Sequence, residues 1–140
     1  MCYIFGKIFE ELCNESISMD MKQKILLLDD NKDLLLVLQI ILKGRGYQSV
    51  TATSIDEAVS KIKVHKPELI LMDVHLSDQD SREFCSQLKH DSATSDIRVI
   101  MMSGDDNDPD TINLTGADDY LQKPFNYDDL LNRVERQVVA

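Results

Sequence analysis

Residues 69–73 read Leu-Ile-Leu-Met-Asp, an uninterrupted apolar run that ends in a carboxylate. A short apolar run of this kind is typical of a strand that is buried on both faces of a parallel sheet. Similar runs occupy residues 25–28, 99–102 and 120–122. The polar groups that follow the four runs are Asp29 and Asp30, Asp73, Ser103, and Lys123. Because ligands bind at the carboxyl ends of the strands in parallel α/β sheets, we expect these groups to meet at one edge.

Strand and helix patterns alternate from residue 24 onward. The predicted strands are 25–28, 48–52, 69–72, 97–102 and 119–122. Helices are predicted between and after them, and Asn31, Ser54 and Asn126 are suited to cap three of these helices. Five successive βα units predict an α/β fold, in which a doubly wound parallel sheet of five strands carries helices on both faces.

The length and composition are those of one globular domain: 140 residues, of which 43% are hydrophobic and 29% charged. The formal net charge of −10 disfavours nucleic acid and anionic membranes as partners. The longest apolar stretch, residues 34–42, is too short to span a bilayer. Cys2, Cys13 and Cys85 lack metal-ligand spacing and indicate a reduced compartment without a structural disulfide. We therefore expect a cytoplasmic protein that binds neither nucleic acid nor a membrane.

Residues 1–21 differ from the rest of the chain. Five apolar residues recur there at helical spacing, with acidic residues on the other side: Ile4, Phe5, Ile8, Phe9 and Leu12. The pattern predicts either a short amphipathic helix or a non-native leader ahead of a start at Met19 or Met21. We expect the folded domain to comprise residues 22–140.

The clustered polar groups indicate a site for a divalent cation and a phosphoryl group. Asp29, Asp30 and Asp73 supply the oxygen ligands that Mg²⁺ prefers. Aspartate is also favoured at helix N-termini, so the first two residues alone do not decide between a metal site and a cap. A carboxylate such as Asp73 can act as a nucleophile that takes a phosphoryl group. The hydroxyl of Ser103 and the ammonium of Lys123 would then contact the phosphoryl oxygens.

The chain from Lys22 to Val138 resembles the receiver domain of two-component response regulators. The residues that carry this resemblance are Asp29-Asp30, Asp73, Ser103-Gly104, the run Gly-Ala-Asp-Asp-Tyr at 116–120, and Lys123-Pro124-Phe125. The resemblance implies a flavodoxin-like fold with strand order 2-1-3-4-5, as in the chemotaxis receiver.

The resemblance also implies a role for each residue of the acidic site. Asp73 would be the phosphoacceptor, and the cofactor would be Mg²⁺. The metal ligands would be Asp30, Asp73 and the backbone carbonyl of His75, with Asp29 contributing directly or through water.

A second set of residues would bind the phosphoryl group and transmit the signal. The ammonium of Lys123 would clamp the phosphoryl group, and the peptide bond between Lys123 and Pro124 would be cis. Ser103 and Tyr120 would form a switch pair that changes the neighbouring surface.

Three positions depart from the common receiver pattern. Leu76-Ser77 replaces a Met-Pro pair, and Ser81 stands where receivers often have glycine. We expect the loop after Asp73 to be less rigid as a result, and Ser81 to need a glycine-like backbone. The helix between 109 and 115 is expected to be short, because Gly116 is placed to end it.

These residues predict a single-domain response regulator that is phosphorylated by a histidine kinase or a phosphotransfer protein. We expect a phosphoacceptor switch rather than an enzyme, a monomer or weak dimer, and a downstream protein partner that the sequence does not identify. Two alternatives remain. One is a Mg²⁺-dependent phosphohydrolase with an aspartyl nucleophile, which usually has a second carboxylate where this chain has His75. The other is a pseudo-receiver that binds its partner without phosphorylation.

Overall fold

The computed structural model describes residues 23–104 and 114–139. Predictions for residues 1–21, and for most of the helix expected at 109–115, lie outside these ranges. The strands are β1 (Lys24–Leu28), β2 (Gln48–Ala52), β3 (Leu69–Asp73), β4 (His75–Leu76), β5 (Gln79–Asp80), β6 (Arg98–Ser103) and β7 (Asp119–Gln122). The helices are α1 (Lys32–Gly44), α2 (Ile55–His65), α3 (Arg82–His90) and α4 (Tyr127–Val139). Within the described ranges, none of the helices is long and apolar enough to cross a membrane.

The central sheet has five parallel strands in the order β2-β1-β3-β6-β7. Because β6 and β7 are the fourth and fifth of the predicted strands, the expected order 2-1-3-4-5 is confirmed. All five residues of β3 are buried, as the run at 69–73 predicted. The antiparallel hairpin of β4 and β5 was not predicted from the sequence.

The helices cover both faces of the sheet, so two apolar clusters form. On one face, α1 and α4 pack through residues such as Leu38 and Leu130 against Leu27 of β1. On the other face, α2 and α3 pack through residues such as Ile62 and Phe84. This layering is that of the predicted doubly wound fold.

Local signals place the helix ends where the sequence indicated. The Asn31 side chain accepts hydrogen bonds from two backbone amides of the first turn of α1. The Ser54 side chain accepts a hydrogen bond from one first-turn amide of α2, and the Asn126 side chain accepts one from the Asp129 amide of α4. Leu114 and Thr115 are helical, and Gly116 follows them with a φ of +77°. This left-handed conformation favours glycine and ends the helix as predicted.

One prediction about the backbone is wrong. Ser81 has a φ of −85° and a ψ of 0°, which lies in the bridge region at negative φ and does not require glycine. The serine is fully buried at the base of the hairpin, where its hydroxyl donates to the backbone of β3. The side chain at this position therefore makes a contact that glycine could not make.

Candidate functional site

Three carboxylates meet at the carboxyl end of the central strands. One oxygen each of Asp29, Asp30 and Asp73 lies within 4.8 Å of the others. Asp73 is the last residue of β3, and Asp29 directly follows β1, so the parallel pairing of these strands brings the two together. Asp29 and Asp73 are buried, whereas Asp30 is exposed. Three hard oxygen donors at this spacing fit a divalent cation such as Mg²⁺.

Asp29 is held in place by contacts on both of its carboxylate oxygens. The Asn31 amide donates to Oδ1 at 2.9 Å, and the Lys123 ammonium donates to Oδ2 at 2.8 Å. The Asp29 amide also donates to the Ala52 carbonyl of β2 at 3.1 Å. Side chain and backbone are therefore both fixed before any ligand is bound.

Lys123 places its ammonium between two carboxylates. Its Nζ lies 2.8 Å from Asp29 Oδ2 and 3.6 Å from Asp73 Oδ2. Its backbone amide donates to the Ser103 carbonyl at 2.7 Å, which ties the end of β7 to the end of β6. The peptide bond between Lys123 and Pro124 is cis, as predicted.

The pKa of the Asp73 carboxyl departs strongly from its ordinary value. Burial, reinforced by the negative charge of Asp29, raises the pKa of Asp73 from 3.8 to about 6, although the Lys123 ammonium opposes the shift. In contrast, the hydrogen bond from the Ser77 hydroxyl is the main cause that lowers the pKa of Asp30. Perturbed pKa values of this kind are common at functional sites. A nucleophilic carboxylate at Asp73 agrees with that pattern.

The remaining predicted residues lie around this cluster. Ser103 is the buried last residue of β6, next to the strand that carries Asp73. His75 is the exposed first residue of β4. Tyr120 lies in β7, further from the acidic cluster, and is half-buried against the apolar layer that α2 and α3 cover.

Three contacts at or near the site were not predicted. The Ser77 hydroxyl donates to Asp30 Oδ2 at 2.7 Å, and the Ser81 hydroxyl donates to the Asp73 backbone carbonyl at 2.5 Å. Arg133 of α4 donates to the Tyr120 carbonyl at 3.0 Å. The sequence did mark Ser77 and Ser81 as departures from the receiver pattern, which was a signal that these positions differ, but not of what they contact.

Comparison with known proteins supports the same family. The family model for the response regulator receiver domain matches residues 25–135. The alkaline phosphatase synthesis transcriptional regulatory protein PhoP of Bacillus subtilis is 35% identical over 117 residues, covering 82% of this chain and 48% of that protein. The phosphate regulon transcriptional regulatory protein PhoB of Escherichia coli is 33% identical, covering 82% and 51%. The chain thus spans about half the length of these curated relatives.

Solved structures show the same fold. A two-component response regulator from Clostridium difficile superposes with a TM-score of 0.75 at 29% identity, covering 83% of this chain and 95% of that one. A CheY-like receiver domain protein from Methanospirillum hungatei gives a TM-score of 0.75 at 27% identity, covering 83% and 93%. With the acidic cluster at the strand ends and the family match over residues 25–135, the chain belongs to the response regulator receiver family.

Proposed function

We propose that this receiver domain accepts a phosphoryl group on Asp73, with Mg²⁺ as the cofactor. The observation that carries the proposal is the position of the Asp73 carboxylate. It is buried, has a pKa raised to about 6, and lies close to the acidic pair Asp29–Asp30 and 3.6 Å from the ammonium of Lys123. Above that pH the carboxylate is ionised and therefore able to act as a nucleophile.

Each residue of the site has a task in this reaction. One oxygen of Asp73 attacks the phosphorus of the donor, and the bond from phosphorus to the donor atom breaks. Lys123 brings its positive charge to a phosphoryl oxygen, and the Ser103 hydroxyl donates a hydrogen bond to another. The residues that would hold Mg²⁺ are Asp29, Asp30, Asp73 and the His75 carbonyl, and the cation would supply positive charge against the phosphoryl oxygens.

Signalling partners follow from the family and are part of the proposal. The donor would be a histidine kinase or a histidine phosphotransfer protein. Once the phosphoryl group is bound, Ser103 and Tyr120 would change the surface around β7 and α4, and a downstream protein would recognise that surface. PhoP and PhoB are named as transcriptional regulators. Whether this chain acts as a single-domain regulator, as the sequence led us to expect, stays a prediction.

The phosphohydrolase alternative is less well supported. The position two residues after the nucleophile is His75, and its side chain is exposed. Among the described residues, the carboxylates grouped around a possible cation are Asp29, Asp30 and Asp73. At the position where such hydrolases usually carry their second carboxylate, this chain thus has an imidazole instead.

The proposal is tested by incubating the protein with acetyl phosphate and Mg²⁺ and measuring the intact mass. We expect one phosphoryl adduct in the wild type and none in Asp73→Asn. Asp33→Asn, an exposed aspartate in the first turn of α1, is the matched control and should keep the adduct. An undiminished adduct in Asp73→Asn would disprove the assignment, and rapid multiple turnover without a lasting adduct would favour the hydrolase.

A further inference from the structure

Two serine hydroxyls connect the β4–β5 hairpin to the acidic cluster. Ser77 lies in the turn of the hairpin and bonds to the side chain of Asp30. Ser81 lies at its base and bonds to the backbone of Asp73. The two aspartates that these serines contact come from different strand ends, and their positions differ by 43 in the sequence. A single short segment therefore contacts both sides of the proposed cation site.

Ser81 directs its hydroxyl to β3 rather than to the helix that follows it. The residue is the N-cap of α3, where serine ordinarily accepts hydrogen bonds from first-turn amides, but its side chain makes no such bond. The Arg82 amide donates instead to Asp80 Oδ1 at 2.9 Å. The Ser81 hydroxyl lies 2.5 Å from the Asp73 carbonyl and 3.3 Å from the Val74 carbonyl. With one hydroxyl proton to donate, the shorter contact is the principal bond.

This bond fixes the peptide that follows Asp73. The carbonyl of that peptide accepts from Ser81, while its amide, the Val74 N–H, donates to the Met102 carbonyl of β6 at 2.8 Å. Both polar groups of the peptide are thus bonded to different elements. The backbone that carries the Asp73 carboxylate is consequently held in place, and the carboxylate can move only by rotation about the side-chain bonds.

Ser77 restrains the side chain of Asp30, the exposed carboxylate of the cluster. Its hydroxyl lies 2.7 Å from Asp30 Oδ2. An exposed carboxylate without such a bond samples several rotamers, and that freedom is lost when it ligates a cation. Each carboxylate oxygen has two lone pairs, so the bond from Ser77 leaves acceptor capacity on Asp30 for a cation.

The hairpin that carries Ser77 is held by paired strands and a buried side chain. His75 pairs with Asp80, and Leu76 pairs with Gln79. The side chain of Leu76 is buried in the core layer beneath α3. The distance between the Ser77 and Ser81 hydroxyls is therefore set by a paired and anchored segment.

We propose that Ser77 and Ser81 are positioning residues, which hold the Asp30 carboxylate and the Asp73 backbone in a fixed relation before a divalent cation binds. The inference rests on the proposed function, because it concerns the same site. Groups that orient metal ligands without touching the metal commonly change metal affinity by about 10–100-fold. Ser77 stands in that position toward the Asp30 carboxylate, and Ser81 toward the backbone that carries the Asp73 carboxylate.

The test is calorimetric titration of Mg²⁺ into the wild type and four variants. Ser77→Ala should weaken Mg²⁺ binding by about tenfold. Its urea midpoint should remain that of the wild type, because the lost bond is exposed. Ser77→Thr keeps a hydroxyl and should restore the affinity. Ser92→Ala, in the exposed turn after α3, is the matched control and should change neither quantity.

Ser81 needs a variant that preserves the buried volume. Ser81→Cys keeps the shape with a weaker donor, so we expect a folded protein with Mg²⁺ affinity reduced several-fold. Wild-type affinity in both Ser77→Ala and Ser81→Cys would overturn the positioning role while leaving the proposed function intact. Failure of the wild type to bind Mg²⁺ would instead overturn the proposed function and this inference together.

Discussion

The two ends of the central sheet differ in how far their carboxylates are paired with cationic side chains. At the amino end of β6, Asp118 accepts hydrogen bonds from the Lys89 ammonium at 2.9 Å and the Val99 amide at 2.8 Å, and Arg98 lies 3.7 Å away. One carboxylate there has two cationic neighbours. At the carboxyl end, the ammonium of Lys123 lies beside two of the three grouped aspartates, Asp29 and Asp73. At the amino end, the Asp118 carboxylate is therefore compensated by positive charge. At the carboxyl end, the grouped carboxylates retain negative charge that a cation can neutralise.

This difference separates the residues that stabilise the fold from those that prepare the reaction. Breaking a half-buried ion pair destabilises the native state, because the remaining partner is left without compensation. Carboxylates that crowd together destabilise the native state until a cation binds. The same substitution should thus have opposite consequences at the two ends.

The largest expected effect is on the phosphorylation rate, which we compare after removing one cation at each end of the sheet. Lys123→Met keeps the apolar stem but removes the charge beside Asp73, and we expect the phosphorylation rate to fall by about 100-fold. Lys89→Met removes the nearer of the two cations beside Asp118 at the amino end and should leave the rate unchanged. The rates are measured by intact mass after timed incubation with acetyl phosphate. A wild-type rate in Lys123→Met would exclude the clamp role.

The second prediction compares stability after neutralising one carboxylate at each end. The pKa of Asp73 is raised from 3.8 to about 6, so the folded state binds more protons than the unfolded state between these pH values. The unfolding free energy therefore decreases as the pH rises through 6. In the absence of metal, Asp73→Asn removes the cost of ionising this carboxyl in the folded state. A shift of one pKa unit corresponds to about 1.4 kcal/mol, so the variant should be more stable than the wild type at pH 8 by about 2–3 kcal/mol.

The pH dependence and the opposite end provide the controls. Below pH 4 the gain from Asp73→Asn should disappear, because both states of the wild type are then protonated. Asp118→Asn weakens the contact with Lys89 and should destabilise the protein at pH 8 by about 1–2 kcal/mol. Urea unfolding at the two pH values gives these numbers. Equal signs for the two variants at pH 8 would refute the contrast between the sheet ends.

The sequence predicted the parts of this structure that depend on local signals or on topology. The apolar run at 69–73 indicated a buried central strand, and Asn31 and Ser54 marked helix starts through short-range hydrogen bonds. The convergence of Asp29 and Asp73 followed from the rule that parallel strands present their carboxyl ends together. No pairing of individual atoms was needed for these conclusions.

The parts that sequence could not predict depend on long-range pairing of particular atoms. Lys123 and Asp29 are 94 residues apart, and Ser77 and Asp30 are 47 apart. A buried serine in place of glycine also suggested backbone strain, because the sequence does not show that its hydroxyl would find a carbonyl of β3. The hairpin was missed because its two-residue strands are too short to produce an alternating pattern.

The third prediction concerns Mg²⁺ itself. A ligand that binds only the native state stabilises it by mass action, so Mg²⁺ at ten times its dissociation constant should raise the unfolding free energy by about 1.4 kcal/mol. Asp30→Ala should lose most of this gain, whereas Asp118→Asn should keep it. Urea titrations with Mg²⁺, and with NaCl at equal ionic strength, separate binding from general screening. A full Mg²⁺ effect in Asp30→Ala would show that this residue is not a ligand.

The smallest expected effect is the change in surface dynamics that would carry the signal. Beryllofluoride, which mimics the phosphoryl group, would draw the Ser103 hydroxyl toward Asp73 and leave space for Tyr120, which is half-buried. We expect amide exchange to change several-fold in residues 103–125 and to remain constant in residues 54–66 of the α2 region. The change should also be much reduced in Ser103→Ala, because that variant cannot donate the hydroxyl bond to the mimic.

Arg133 bonds to the Tyr120 carbonyl and to Asp119 Oδ1, so β7 should remain paired with α4 while the Tyr120 ring moves. Equal changes of exchange in both regions, or none in residues 103–125, measured by mass spectrometry, would contradict a switch that acts through this pair of residues.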